Sequence, residues 1–551
     1  MLFNSYIFIF LFLPLCLVGF YILQNRQATL AKVWLTCFSL WFYGYFNLSY
    51  LAIMICSIVG NYFVHSMIVK ARNRETAIEQ VESMCKKIKV DEKPKKISGR
   101  SKKILIMGIV LNLFVLFYFK YFDFFLSNVN SLFGSSIPLK NILLPLGISF
   151  FTFQQISFLV DTYRGELGRY SEISVKETVV KTLNEEKPIL FIDYALFVSF
   201  FPQLIAGPIV VHEEMFLQFA RIGNDIRSRE EKLKFFTKGV YVFVLGLAKK
   251  VLIADTFGIA VDLAYSNVNG INGFESFITI LFYSLQLYFD FSGYCDMAKG
   301  IAGMFGMSIA TNFSSPYKAI NIVEFWKRWH ITLSRFFTKN IYIPLGGNRK
   351  GEIKMYINYL IVFFLSGLWH GAGWNFMLWG MMHGVLYVAT KWWFNHKKTR
   401  VIKTDFCKTE KICIVKHKIG ECISIVFMFT YVSIAWVYFR AASVEQANTL
   451  LMNVFVKPWA MPGSGFTDAF NLGEFWYILK ILKIATLPYA KYYIIILFTF
   501  VVSVITFFGK NVDELAEKFK PTIVNAMVTA ILFVWCVVSL SGVSTFLYFN
   551  F

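Results

Sequence analysis

The sequence predicts an all-α polytopic membrane protein with about 11 or 12 membrane-spanning helices in one bundle. Hydrophobic residues make up 56% of the 551 positions, charged residues make up only 16%, and phenylalanine alone occurs 61 times. This composition is far from that of a soluble domain. Apolar runs of about 20 residues, long enough to cross a bilayer, recur along nearly the whole chain.

Each of these runs predicts a span, and the longest predicts two. The run 355–393 is long enough for a helical hairpin, and some of the others can be broken or re-entrant. Nothing basic precedes the first run and no small-residue cleavage site follows it, so we expect a retained helix and not a secretory signal. In chain order the runs are 6–23, 33–48, 51–69, 104–126, 142–160, 189–206, 239–265, 277–307, 355–393, 423–439, 492–508 and 523–548.

The basic charge is concentrated in two loops between predicted spans. The formal net charge of +21 is by itself compatible with nucleic-acid binding. However, residues 70–103 contain 12 basic and 5 acidic side chains, and residues 391–418 contain 9 basic and 2 acidic ones. Because Lys and Arg collect in cytoplasmic loops, we place both loops in the cytoplasm and the N-terminus, three spans earlier, outside. We expect no nucleic-acid partner.

The remaining pattern favours a single transmembrane domain over residues 1–551. Its parts are the basic loop 70–103, core blocks within 290–384 and C-terminal helices over 419–551. The polar stretch 163–188 does not indicate its side of the membrane, whereas 442–491 contains Pro458, Pro462 and several glycines and predicts amphipathic or re-entrant helices at an interface. The nine cysteines are scattered without a CxxC pair, so we expect neither a disulfide framework nor a metal site.

The stretch 321–337, NIVEFWKRWHITLSRFF, predicts an amphipathic helix. At about 100° per residue its Ile, Phe, Trp and Leu side chains share one face, and Glu324, Lys327, Arg328 and Arg335 share the other. His330 then lies at the rim of the apolar face, one turn from Trp326 and one turn from Ser334. It can face a cleft, or it can be an interfacial histidine bonded to a backbone carbonyl.

The helix should end in the turn IYIPLGGNRKG, where Pro344 and the pair Gly346 and Gly347 interrupt it. We place this turn at the cytoplasmic headgroup level. Its cationic residues Arg349 and Lys350 either follow the positive-inside rule or meet a phosphorylated donor such as coenzyme A or a carrier thioester.

The stretch LSGLWHGAGWNFMLWG contains an ionisable residue at membrane depth. His370 follows Lys354 by 16 residues, which is about 24 Å on a continuous helix and within a hydrocarbon core of about 30 Å. Such residues face a bundle interior or a wet cavity and are functional candidates. Glycines leave room for a backbone or a narrow ligand and tryptophans supply walls, although the same residues also mark plain helix packing. They are Gly367, Gly371 and Gly373, and Trp369, Trp374 and Trp379.

Two more segments place polar residues inside predicted spans. In LYFDFSGYCDMAKG, Asp290 and Asp296 with Lys299, Tyr294 and Ser292 predict either a buried network that supports the site or ordinary pairs at helix ends. In FFPQLIAGPIVVHEEM a span must break near Pro202 and Pro208, and His212, Glu213 and Glu214 follow the break.

Four blocks of the chain together resemble the membrane-bound O-acyltransferase family, specifically its bacterial alginate O-acetyltransferase branch. They fall in order over about 185 residues, and the block from WKRWHITLS to PLGGNR followed by WHG is the most specific part. Departures are modest, such as Gly373 where alanine is common and Lys299 within MAKGIAGMFG. The blocks are SFFPQLIAGPIV, DFSGYCDMAKGIAGMFGM, NFSSPYKAINIVEFWKRWHITLSRFFTKNIYIPLGGNRKG and LSGLWHGAGWNFMLWGMMHG.

The resemblance implies a bacterial cytoplasmic-membrane enzyme that moves an acetyl group from a cytoplasmic thioester to a polysaccharide outside. His370 matches the active-site histidine of the family and would act as general base, with His330 orienting a substrate or stabilising charge. The resemblance also implies a central tunnel, acetyl-coenzyme A or another acyl thioester as co-substrate with no bound cofactor, and an extracytoplasmic acetyltransferase partner that serves a surface glycan. We expect Asp290, Tyr294, Trp326, Trp329, Ser334, Trp369 and Asn375 to line or support the tunnel.

Two alternatives remain open at this point. One stays within the family and is the transfer of D-alanine or another acyl group to teichoic acid. The long C-terminal part, 423–551, favours polysaccharide acetylation over this alternative. The other is a proton-coupled transporter or flippase that uses Asp290, His330 and His370 as a proton path. The acceptor could be an alginate-like exopolysaccharide, cellulose or peptidoglycan, and the sequence does not choose among them.

Overall fold

The computed structural model of the protein describes residues 1–87, 99–166, 189–398, 410–470, 474–484, 487, 489–542 and 546–547. Every regular element within these residues is helical, and no strand occurs among them. The all-α prediction is therefore confirmed. The chain divides into two compact units, of which the first comprises Met1 and Phe10–Arg229 and the second comprises Leu2–Ile9 and Glu230–Phe551.

In the first unit, polar side chains form hydrogen bonds where the long helices α3 and α4 contact each other. Asn112 on α4 donates its amide to Asn61 Oδ1 on α3 at 2.6 Å, and Asn61 returns a bond at 3.1 Å. Gly108 allows this approach, because a Cβ there would lie 2.8 Å from Val64. Small residues and hydrogen bonds between side-chain amides of neighbouring helices are typical of helix packing in membranes. The helices are Leu13–Gln24 (α1), Ala28–Gly44 (α2), Leu48–Lys87 (α3), Arg100–Leu116 (α4), Phe122–Phe133 (α5), Ile148–Arg164 (α6), Phe191–Ser199 (α7), Phe201–Leu204 (α8) and His212–Ala220 (α9).

The second unit is organised around one long buried helix. This helix, Gly273–Met304, begins with a capping box in which Asn272 Oδ1 accepts the N–H of Glu275 and the Glu275 carboxylate accepts the N–H of Asn272, both at 2.9 Å. The helices in chain order are Arg229–Ala248 (α10), Asp255–Ser266 (α11), Gly273–Met304 (α12), Ile322–Arg328 (α13), Ile331–Phe337 (α14), Glu352–His370 (α15), Trp374–Lys398 (α16), Glu410–Arg440 (α17), Val444–Val456 (α18), Ser464–Asp468 (α19), Glu474–Ile481 (α20), Ala490–Phe508 (α21), Val512–Glu517 (α22) and Ile523–Val538 (α23).

Several helices have the length and composition of membrane spans. Among the described residues, four qualify by length and hydropathy, namely Leu48–Ile78, Arg100–Phe133, Lys418–Arg440 and Ala490–Phe508, and two shorter apolar helices cover Phe8–Gln24 and Ile523–Val538. The protein is therefore a multi-pass membrane protein. The larger number of 11 or 12 spans stays a prediction, as does the orientation of the N-terminus.

The two basic loops are shorter than the sequence predicts. α3 continues to Lys87 and α4 begins at Arg100, so most of 70–103 is helical and only 88–98 lies outside the described residues. Likewise α16 ends at Lys398 and α17 begins at Glu410. The prediction of loops was wrong because Lys, Arg and Glu lower hydropathy yet are good helix formers, so a helix can outlast its apolar run.

Other predicted boundaries agree more closely. The run 355–393 is a hairpin of α15 and α16, as expected, and 442–491 contains the short helices α18, α19 and α20. The run 142–160 starts late, because Pro145 and the left-handed Gly147 precede α6. Of the stretch 163–188, residues 167–188 lie outside the described residues.

Candidate active site

The α15–α16 hairpin brings two backbones into direct contact. A Cβ on Gly367 would lie 2.4 Å from the carbonyl oxygen of Phe376, and one on Gly380 would lie 2.4 Å from that of Phe363. A Cβ on Gly371 would lie 2.1 Å from the Phe376 ring. The room that the glycines leave is thus filled by α16, and helix packing, one of the two sequence interpretations, accounts for them.

His370 is the last residue of α15 and is only 5% exposed. Its ring lies edge-on to Trp379, with ring centroids 5.0 Å apart, and to Phe439 at 5.1 Å. Trp369, next in the chain, is buried as well, whereas Trp374 is 61% exposed and forms no wall. α15 is continuous from Glu352, so His370 lies about 27 Å along the helix axis from its start.

His330 lies at a break in the predicted helix of 321–337. The chain forms two short helices, α13 and α14, and between them His330 adopts a left-handed conformation with φ 45° and ψ 51°. The prediction of one continuous helix was wrong, because the backbone around His330 forms hydrogen bonds with segment 312–314. Ser314 N–H donates to Arg328 O, and Ile331 N–H donates to Asn312 O. A non-glycine residue in this region costs of order 1–3 kcal/mol and points to function. The predicted apolar face is nevertheless buried.

Asn312 fixes the orientation and tautomer of His330. Its Oδ1 accepts the backbone N–H of Thr332 at 3.1 Å and the Thr332 hydroxyl at 2.8 Å, and it lies 3.2 Å from His330 Nδ1. An atom that accepts from a backbone N–H is an acceptor, so the neutral His330 ring must carry its proton on Nδ1. The lone pair then belongs to Nε2, which is able to accept a hydrogen bond.

The structure brings the two predicted histidines together. Their ring centroids are 6.4 Å apart, and His330 is 1% exposed. Trp329 lies against Phe325 and Trp436, and Trp326 lies against Phe363 and Trp379. Two imidazoles, one at the break between α13 and α14 and one at the end of α15, therefore share an aromatic environment in the second unit, an arrangement suited to accepting and returning one proton.

A third buried histidine, His383, was missed in the sequence. It is fully buried on α16, and its ring lies 5.0 Å from Trp379 and 5.3 Å from Trp326. Within the described part of the chain, neither of its ring nitrogens, nor the indole nitrogen of either tryptophan, has a hydrogen-bond partner. Such groups normally find partners, so they could receive a polar group of a substrate. The sequence feature that could have revealed His383 is its position 13 residues after His370. The hairpin turn lies between the two residues, so α16 runs back along α15 and carries His383 toward the site.

Asp290 belongs to a buried ion network, and its lysine partner is one that the sequence analysis did not name. Lys250 Nζ lies 2.6 Å from Asp290 and 2.8 Å from Asp255, and the N–H of Leu547 donates to Asp290 at 3.1 Å. Lys299 instead pairs with Asp513. Nearness in sequence did not reveal Lys250, which follows α10 and packs beside α12.

The other predicted support residues are placed by contacts of their own. Tyr294 stacks on Phe3 with centroids 4.9 Å apart. Asn375 donates to the carbonyls of Tyr438 and Ala441, which ties the start of α16 to the end of α17. Ser334 donates to Trp326 O across the break at 3.3 Å. Arg349 and Lys350 are exposed, in the turn that precedes α15 and far along that helix from His370. Tunnel lining stays a prediction for all of them.

One group of potential metal ligands occurs among the described residues, in the first unit. Asp161, His212 and Glu213 have ligand atoms within 4.8 Å of one another. His212 Nδ1 lies 3.4 Å from an oxygen of Asp161, whose other oxygen is 3.8 Å from Arg164. The sequence had singled out His212 and Glu213 without a role. Ion pairing within the protein accounts for the carboxylate of Asp161.

A helical membrane protein with buried histidines paired in an aromatic site has the features of a membrane enzyme with acid–base chemistry. Residues 103–434 match the membrane-bound O-acyltransferase family, and the chain belongs to that family. It is therefore an acyltransferase.

Three relatives illustrate the range of the family. The peptidoglycan O-acetyltransferase of Helicobacter pylori is 40% identical over 82% of this chain and 79% of its own length. The probable alginate O-acetylase AlgI of Pseudomonas aeruginosa is 33% identical over 81% of this chain and 73% of its own length. The teichoic acid D-alanyltransferase of Bacillus subtilis is 27% identical over 45% of this chain and 59% of its own length.

Proposed function

We propose that this protein transfers acetyl groups from a thioester donor to a cell-envelope polysaccharide, with peptidoglycan as the leading acceptor. The similarity to the Helicobacter pylori peptidoglycan O-acetyltransferase, at 40% identity over 82% of this chain, exceeds that to the probable alginate O-acetylases. Both relatives support O-acetyl transfer to a glycan. Family membership also decides against the transporter alternative, because the family consists of acyltransferases.

The observation that carries the mechanism is the pair of buried imidazoles, 6.4 Å apart between ring centroids. His370 takes the proton of an acceptor hydroxyl as its oxygen attacks the thioester carbonyl. A C–O bond forms, the C–S bond breaks, and the thiolate that leaves takes the proton back from the imidazolium. General base catalysis of this kind contributes about 10²- to 10⁴-fold in rate.

His330 orients the reactants in this scheme. With Nδ1–H directed at Asn312, its Nε2 is an acceptor and can hold a neighbouring hydroxyl or amide N–H of the substrates, while the reacting hydroxyl donates its one proton to His370. Water exclusion by the surrounding aromatic rings strengthens these hydrogen bonds and limits hydrolysis of the thioester. His330 therefore acts by positioning, while His370 accepts the proton.

The donor approaches from the side of the basic loops and the acceptor from the opposite side. We place the protein in the bacterial cytoplasmic membrane with acetyl-coenzyme A or a carrier thioester as donor. A separate extracytoplasmic acetyltransferase then completes delivery to the glycan. The positive-charge rule supports the orientation, and the resemblance to the alginate branch supports the partner.

D-alanyl transfer to teichoic acid is the second candidate. It draws on the match to the teichoic acid D-alanyltransferases, which covers 45% of this chain for the Bacillus subtilis protein. The peptidoglycan relative matches nearly twice that share at higher identity. Acetyl transfer is therefore preferred.

The test uses the purified full-length protein in liposomes with radiolabelled acetyl-coenzyme A. Consumption of the thioester and label on peptidoglycan fragments, alginate oligomers or teichoic acid are measured in parallel. We expect thioester consumption by the protein itself and labelled peptidoglycan once the separate extracytoplasmic acetyltransferase is added, with thioester consumption reduced about 10³-fold in His370→Ala. The matched control is His396→Ala, since His396 is exposed on α16.

Full activity in His370→Ala would disprove the catalytic assignment. Label on alginate alone would make alginate the acceptor in place of peptidoglycan. Use of a D-alanyl thioester but not of the acetyl thioester would change the donor. The protein would remain an acyltransferase in either case.

A further inference from the structure

A cleft of about 790 Å³ lies at the start of α15, at the opposite end of that helix from His370. The turn before the helix and the first three turns of the helix line it, the turn with Leu345 and Lys350 and the helix with Ile353, Lys354, Ile357 and Ile361. The cleft belongs wholly to the second unit, and the proposed catalysis does not use it.

The polar end of the cleft carries a net positive charge. Lys350 and Lys354 are both exposed, and neither forms an ion pair with any of the residues that the structure describes. Gly346, at φ 110°, lies under the aliphatic stem of Lys350, 2.9 Å from Cδ if a Cβ were present. The acidic residue of the lining, Glu352, accepts from Asn395 of α16 at 3.4 Å, so its carboxylate is directed toward α16.

The other end of the cleft is an apolar ladder on α15. Ile353, Ile357 and Ile361 recur at i, i+4 and i+8, so their side chains align along one face over about 12 Å. They are 77%, 49% and 36% exposed. A row of exposed isoleucines directly below a pair of lysines matches a charged headgroup joined to acyl chains, since lysine binds phosphate and isoleucine contacts hydrocarbon.

We propose that this cleft binds one anionic phospholipid, with its phosphate between Lys350 and Lys354 and an acyl chain along the isoleucine ladder. Coenzyme A, the ligand that the sequence suggests for Lys350, offers the phosphate but has a polar, amide-containing arm in place of an acyl chain. The apolar ladder therefore favours the lipid. A lipid held here fixes the level of α15 in the membrane and with it the depth of His370.

The test is native mass spectrometry of the full-length protein in detergent, with equal amounts of phosphatidylglycerol and phosphatidylcholine added. Wild-type protein should retain phosphatidylglycerol in preference to phosphatidylcholine. Lys350→Gln with Lys354→Gln should weaken phosphatidylglycerol binding about 30-fold, because each lysine near an anionic lipid contributes about a factor of five. The matched control is Lys518→Gln with Lys520→Gln, two exposed lysines outside the cleft.

Ile357→Ser separates a lipid from a free phosphate ion. It should weaken phosphatidylglycerol retention several-fold, and soluble glycerophosphate should not displace the lipid from the wild type. Equal retention by wild type and the cleft lysine variant would overturn the proposal. So would an unchanged lipid signal with a raised KM for acetyl-coenzyme A, since the cleft would then be a donor site; the proposed acetyl transfer would survive that result.

Discussion

The two ends of α15 have opposite environments. At its start Ile353 is 77% exposed and two lysines face outward, whereas at its end His370 is 5% exposed among aromatic rings. One continuous helix of 19 residues joins them. The difference follows from the neighbours: near His370 the α16 backbone touches α15 through Gly367 and Gly380, while the first turns face an open cleft.

This contrast shows why the histidine end should tolerate little change and the lysine end much. In the packed end, a buried polar group depends on fixed partners, and any added atom must displace backbone. In the open end, a side chain can move without disturbing its neighbours. Substitutions matched in chemistry but placed at the two ends test that difference.

The largest effect is expected for Gly380→Ala at the packed end. The new Cβ would lie 2.4 Å from the Phe363 carbonyl oxygen and 3.1 Å from Gly367 Cα, so the helices must separate. Overpacking of this kind costs about 3 kcal/mol, and the melting temperature in detergent should fall. Gly420→Ala on α17 is the control, because a Cβ there has nothing within 4 Å and the change should stabilise by about 0.5–1 kcal/mol. Equal melting of the two variants would contradict the close contact.

The next effect concerns Asn312, which positions His330. In Asn312→Leu the His330 ring loses the acceptor that holds its Nδ1–H. We expect kcat to fall about 10- to 100-fold, because the ring is misplaced by about 1 Å, while KM for the donor stays unchanged. Asn312→Asp retains an acceptor oxygen and should restore part of kcat. Steady-state kinetics of folded, monodisperse protein give the answer. A Leu variant with wild-type kcat would show that the His330 tautomer does not matter.

The smallest effect is expected at the open end, for Ile353→Ala. Since the side chain is largely exposed, the free energy of unfolding in detergent should change by less than about 0.5 kcal/mol. Thermal unfolding in detergent measures this quantity. A drop comparable to that of Gly380→Ala would mean that the start of α15 is packed against protein in the membrane, and the contrast between the two ends would fail.

The sequence by itself determined much of this protein. Apolar runs determined the helical class and most of the helices, and the length of the run 355–393 predicted the hairpin, because helix propensity and hydropathy are local properties. The period of the 321–337 segment correctly identified its buried face. His370 was found because a polar residue inside an apolar run is conspicuous without any knowledge of its neighbours, and His330 was found from its place at the rim of an amphipathic pattern.

Only the tertiary structure decided the partners of these residues. Asn312 is 18 positions from His330, Lys250 is 40 from Asp290, and His383 returns to the site after a turn. Periodicity within one helix cannot reveal contacts between helices, so the sequence did not find Lys250 as the partner of Asp290 and predicted one helix through His330. His330 adopts its left-handed conformation because the backbone on both sides of it forms hydrogen bonds with segment 312–314. These bonds outweigh the local preference for a continuous helix.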